Sequence, residues 1–103
     1  MDEDRREMTM GRFLERIAER ILEGRWSRDG ENPDGENPYG RLLGGVAWRN
    51  EGGEWRKYRV VAVSHKGSVA IRSWEARAGA EWVRRRKVAQ GALRFGEDGK
   101  ERL

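Results

Sequence analysis

The run from Arg59 to Trp74, RVVAVSHKGSVAIRSW, limits the folds open to this chain more than any other stretch. Val60, Val61, Val63, Val69 and Ile71 are β-branched, stiff at χ1 and suited to extended backbone, and Lys66-Gly67 between them supplies a bend, so the spacing predicts two antiparallel strands. The first strand is expected from Glu54 to about Ser64 and the second from Ser68 to Trp74. Side chains alternate across a strand, which places Trp55, Lys57 and Arg59 on one face of the first and Ala70, Arg72 and Trp74 on one face of the second, with Val69 and Ile71 turned the other way. An aromatic and cationic face is therefore expected opposite the core face.

The rest of the chain is read outward from that hairpin. Met10, Phe13, Leu14, Ile17, Ala18, Ile21 and Leu22 recur at spacings of three and four, the stripe of an amphipathic helix over Met10–Leu22, which Gly24 can end. Residues 29–38 read DGENPDGENP, a tandem duplication in which each Asn precedes a Pro, and residues 29–40 are expected as an acidic loop. Arg41–Arg49 is expected as a strand with a bulge at Gly44-Gly45, and Asn50–Gly53 as a turn. Glu81–Ala89, EWVRRRKVA, is expected as a fourth strand with Trp82, Arg84 and Arg86 on one face, because a helix there would spread four cations around its girth and leave little apolar stripe. A short strand, Ala92–Phe95, would follow. The fold class expected is α+β: an N-terminal amphipathic helix packed on a twisted antiparallel sheet of four to five strands. Residues 1–95 would form a single domain and residues 96–103 a flexible tail. One helix is little cover for such a sheet, and a rival reading uses it to pair two copies of the chain.

Composition excludes several classes of function. A chain of 103 residues holds one modest core, and five Trp separate it from disordered sequences despite 39% charged residues. There is no Cys, and His65 is the only His, so neither a thiolate zinc site nor a nucleophilic triad can be assembled. The four acids of residues 29–38 lack the ligand order of a calcium loop, and Gly44-Gly45 and Gly52-Gly53 precede no Lys-Ser/Thr pair as a phosphate loop requires. No apolar run approaches a membrane span, and the charged start lacks the apolar centre of a secretory signal. The expectation is a soluble, intracellular protein, cytoplasmic or nucleoid-associated, that is not an enzyme and needs no cofactor, metal, membrane or small-molecule substrate.

Charge is segregated along the chain. Residues 1–28 carry seven acids and seven bases, residues 29–40 four acids and no base, and residues 41–95 thirteen bases against four acids. Eighteen of the 22 cations are Arg, whose planar guanidinium pairs with phosphate through two bonds and stacks on flat rings. Cations interleaved with aromatic platforms are what an unpaired nucleic-acid strand requires. Trp48, Trp55, Tyr58, Trp74 and Trp82 are candidate platforms, and Arg49, Lys57, Arg59, Arg72, Arg84 and Arg86 candidate phosphate contacts. The segment YRVVAVSHKGSVAIRSW and the EWVRRRKVAQGAL that follows resemble the core of the transcriptional positive-coactivator family, with Lys66, Gly67, Ile71, Arg72 and Trp74 at matching positions in about a third of the chain. The resemblance implies a curved antiparallel sheet that binds single-stranded DNA as a homodimer; unlike that family, this chain places its clear helix before the sheet. Binding of single-stranded DNA or RNA with little sequence preference is the leading expectation. A ribosomal or ribonucleoprotein component and a protein-interaction module or inhibitor are the alternatives.

Overall fold

The computed structural model describes residues 24–31 and 35–103. The helix expected over Met10–Leu22 lies outside the described residues. Among those described, the strands are β1 (Trp26–Arg28), β2 (Val46–Glu51), β3 (Glu54–Ser64), β4 (Val69–Ser73), β5 (Glu81–Val83) and β6 (Leu93–Phe95), with a 3-10 turn at Gly40–Leu42 and one short helix, α1 (Arg85–Ala89).

Everything is hung on β3, the long valine-bearing strand. It pairs with β4 along one edge and shares its other edge between β2, opposite Glu54–Arg59, and β1, opposite Ala62–Ser64. All pairings are antiparallel, in the order β5-β4-β3-β2-β6 with β1 beside β3. Between β2 and β1 the edge of β3 is completed by loop backbone. Gly44 N–H donates to Val60 O, Val60 N–H to Gly45 O, and Asp29 N–H to Val61 O, so the ladder continues across the gap between the two strands. The β3–β4 bend is closed by two serines: Ser64 Oγ accepts from both Lys66 and Ser68 N–H. Gly67 sits in this bend at φ 99°, a backbone conformation that favours glycine, and a Cβ there would stand 3.2 Å from the Tyr39 ring and press on it.

The β3–β4 pairing slips between Val60 and Ala62, leaving Val61 as a bulge. The slip resets the alternation. Val60 and Val63 join Val69 and Ile71 on one face, with Ala47, Val83, Leu93 and Phe95, and this face holds the main core. Val88 of α1 and Leu42 of the 3-10 turn cover it from below. Val61, Ala62 and Ala70 form a smaller apolar patch on the opposite face, beneath Trp26 and Trp82.

The α+β expectation of one N-terminal helix on four or five strands is corrected by this architecture: the described residues form mostly sheet, six antiparallel strands with a single short helix at Arg85–Ala89. The expected fourth strand ends at Val83, and Arg86 lies on α1 instead. The reason is a partner distant in sequence. Ser68 Oγ accepts the Arg85 N–H at 3.0 Å, capping the helix start, and one turn of helix sets Val88 into the core while Arg84–Lys87 stay exposed. The expected strand Arg41–Arg49 begins later, at Val46, because Gly40–Leu42 winds to bury Leu42. The strand β1 is an addition that the pattern of residues 26–28 does not announce.

The acidic loop is anchored at its end. Asn37 is 3% exposed, its Nδ2 donates to Val63 O at 2.9 Å, and its Oδ1 accepts from Tyr39 N–H. Beyond β6 the chain turns back, and Glu101 pairs with Phe95 through both backbone bonds while its side chain meets Arg41.

Candidate nucleic-acid interface

Pairing register decides which side chains share the face opposite the main core. Across β2 and β3, Trp48 stands opposite Lys57, Asn50 opposite Trp55, and Val46 opposite Arg59. Across β3 and β4, Arg59 stands opposite Arg72 and Ala62 opposite Ala70; across β4 and β5, Ala70 stands opposite Trp82. Arg94 of β6 lies opposite Trp48, and Arg28 of β1 opposite Ala62. Directly opposed residues point the same way, so Trp48, Trp55 and Trp82 share one face with Arg28, Lys57, Arg59, Arg72 and Arg94. Trp26, two positions before Arg28, and Trp74, two after Arg72, join them. All five tryptophans of the chain stand on this face.

The rings and cations there are stacked on one another. Lys57 Nζ lies 4.1 Å and Arg59 Cζ 4.3 Å from the Trp74 ring centre, Arg94 Cζ 4.3 Å from that of Trp55, and Arg28 Cζ 5.4 Å from that of Trp26. Each contact of this kind is worth about 0.5–1 kcal/mol when solvent reaches it, and it orients both partners. Trp26 meets Trp82 edge to face at 6.0 Å, over the small apolar patch. The Trp82 Nε1–H is buried and has no hydrogen-bond partner among the described residues. Trp48 is fixed by its Nε1–H, which donates to Gly96 O at 2.9 Å. Two depressions flank Trp55. One, of about 430 Å³, opens between Trp55, Lys57 and Trp74; the other, of about 320 Å³, lies between Trp55, Arg94 and Trp48.

Of the residues singled out by sequence, Trp48, Trp55, Lys57, Arg59, Arg72, Trp74 and Trp82 are brought together. Arg49 and Tyr58 are not. They face the main-core side, where Arg49 donates to Glu81 at 2.6 Å and to Tyr58 Oη at 2.9 Å, with its guanidinium over the Tyr58 ring. Partial burial works against that charge, but the bonds to Glu81 and Tyr58 outweigh it and hold the Arg49 pKa above its ordinary value. Arg84, the extended residue just before α1, and Arg86 within it lie beyond the paired strands, exposed and with no ion pair among the described residues. Two cations of this face, Arg28 and Arg94, are absent from the set that sequence reasoning selects. Arg94 sits between the buried Leu93 and Phe95, an alternation that already points it away from the core; Arg28 belongs to β1, which has no sequence signal of its own.

Among the described residues no group of three His, Asp or Glu is gathered as for a metal ion, and no helix is long and apolar enough to cross a membrane. Comparison of the chain with family models, curated proteins and solved structures finds no match.

Proposed function

We propose that this chain holds single-stranded nucleic acid across the tryptophan-bearing face of its sheet. One observation carries the reading: the pairing register, with Lys57 and Arg59 lying over Trp74, gathers all five tryptophans and five cations, Arg28, Lys57, Arg59, Arg72 and Arg94, on a single face. An unpaired strand offers two chemistries, flat bases and phosphates, and this face offers the complement of each. The indoles supply stacking surface, and a guanidinium lying over an indole can turn its edge to a phosphate without leaving the ring. A duplex hides its bases from such a platform, so the arrangement suits single strands above double ones.

Titration of the intrinsic tryptophan fluorescence with single-stranded DNA, single-stranded RNA and duplex of equal length tests this. Quenching by the single strands, with log affinity falling against log salt by roughly 0.7 for each phosphate engaged, is the expected result. A duplex that binds as well as either single strand, or single strands that leave the fluorescence unchanged, would overturn it.

A further inference from the structure

The smaller depression beside Trp55 sets two carboxylates, Glu97 and Asp98, against two indoles and an arginine; the larger one also carries acids, Glu51, Glu54 and Glu75, but not between two tryptophans of neighbouring strands. The walls of the smaller are Trp48, Trp55, Arg94, Glu97, Asp98 and Gly99, and its volume of about 320 Å³ is ample for one base. Trp48 is held by its bond to Gly96, and Gly99 lies against the ring so closely that a Cβ there would stand 3.1 Å from Cδ1; the wall is rigid on that side. On the other side Arg94 is stacked on Trp55. Asp98 accepts the Lys100 N–H through Oδ1, leaving Oδ2 without a partner among the described residues, and Glu97 is 83% exposed with Lys57 4.0 Å away.

Resting on the reading of this face as a single-strand surface, we propose that the slot receives one base and prefers guanine to thymine or uracil. Two carboxylates repel a phosphate, so the group entering must be a base. A carboxylate only accepts, and guanine alone presents two adjacent donors, N1–H and the N2 amino group, that match its two oxygens; guanine O6 and N7 are acceptors of the kind an arginine such as Arg94 bonds. Thymine and uracil present one N–H flanked by two carbonyl oxygens, which a carboxylate repels. Adenine and cytosine, with one amino group, fall between.

The test compares a nine-residue thymine DNA oligomer with the same oligomer carrying one central guanine, each titrated against the wild-type chain and the double variant Glu97→Gln, Asp98→Asn. An Asn at 98 can still accept the Lys100 N–H, so the turn is retained; a melting curve checks this, and Glu97→Gln alone carries the test if the double variant melts early. The wild type should bind the guanine oligomer roughly tenfold more tightly. In the variant that ratio should fall toward one while affinity for the thymine oligomer holds or rises. Equal affinity of the wild type for the two oligomers overturns the guanine slot and leaves the single-strand surface standing, as does a preference that survives in the variant. Failure of both oligomers to bind overturns the surface and the slot together.

Discussion

At the scale of single residues, the tryptophans divide by what their rings and N–H groups touch. Trp55 and Trp74 lie under cations and border the larger depression, so Trp55→Ala and Trp74→Ala should each weaken single-strand binding by about 1–3 kcal/mol, with little dependence on the neighbouring bases, more than any accompanying change in melting explains. Fluorescence titration beside thermal melting separates the two effects. Trp82 is a different case: its ring covers Ala62 and Ala70, while its N–H is buried without a partner among the described residues. Trp82→Phe keeps most of the cover and discards the unpaired donor, so urea unfolding should place it within about 1 kcal/mol of wild type, whereas Trp82→Ala should cost about 3–5 kcal/mol. The face these residues share is legible in the sequence because period-two alternation within β3 and β4 is a local property. Arg49 is misplaced by sequence reasoning for the opposite reason. Trp48 and Arg49 are neighbours on one strand and cannot share a face, and which of them joins Lys57 is decided by the register with β3, information that no single strand contains.

At the scale of elements, α1 shows where local pattern fails. EWVRRRKVA has neither a helical stripe nor an apolar alternation, and a single apolar residue, Val88, is what the core takes from the second half. The helix starts where Ser68, seventeen residues earlier, meets the Arg85 N–H. Because Arg84, Arg85, Arg86 and Lys87 are exposed and have no ion pair among the described residues, changing all four to Ala should leave the melting temperature at or slightly above that of wild type, relieving mutual repulsion and raising helix propensity. If a bound strand reaches past β5 to these cations, the same variant should flatten the salt dependence by roughly 0.7 for each phosphate no longer neutralised, equally for all sequences. An unchanged slope would confine the bound strand to the tryptophan face. Val88→Ala, by contrast, removes a fully packed group and should cost roughly 2 kcal/mol in urea unfolding.

At the scale of the whole molecule, what the sequence does not disclose is which distant segments close the sheet. The strand β1 has three residues and no β-branched pattern of its own; it exists because the second half of β3 has an open edge, and Asn37 pins it from below. Asn37 Nδ2 reaches both Val63 O and, at 3.4 Å, Ser27 Oγ, so the acidic loop leaves β1 at Arg28 and returns to within contact of Ser27. The loop is a closed excursion with a fixed foot. Asn37→Ala would take the donor from Val63 O and the acceptor from Tyr39 N–H and should destabilise by about 1–3 kcal/mol. Removing five residues, one whole DGENP copy, should do far less. The two copies are identical, so the shortened chain still reads Arg-Asp-Gly-Glu-Asn-Pro-Tyr: a backbone N–H after Arg28 can still donate to Val61 O, and an Asn-Pro-Tyr still arrives at the foot. Halving a loop changes its closure free energy by only about 0.6 kcal/mol, and the exposed Arg25–Glu36 pair adds little. Thermal melting of the three chains side by side decides the matter. The deletion should fall within about 5 °C of wild type and the alanine variant clearly below it; a deletion that melts as early as Asn37→Ala would mean that the two copies are not interchangeable and that the length of the loop, not its anchoring asparagine, holds β1 on the sheet.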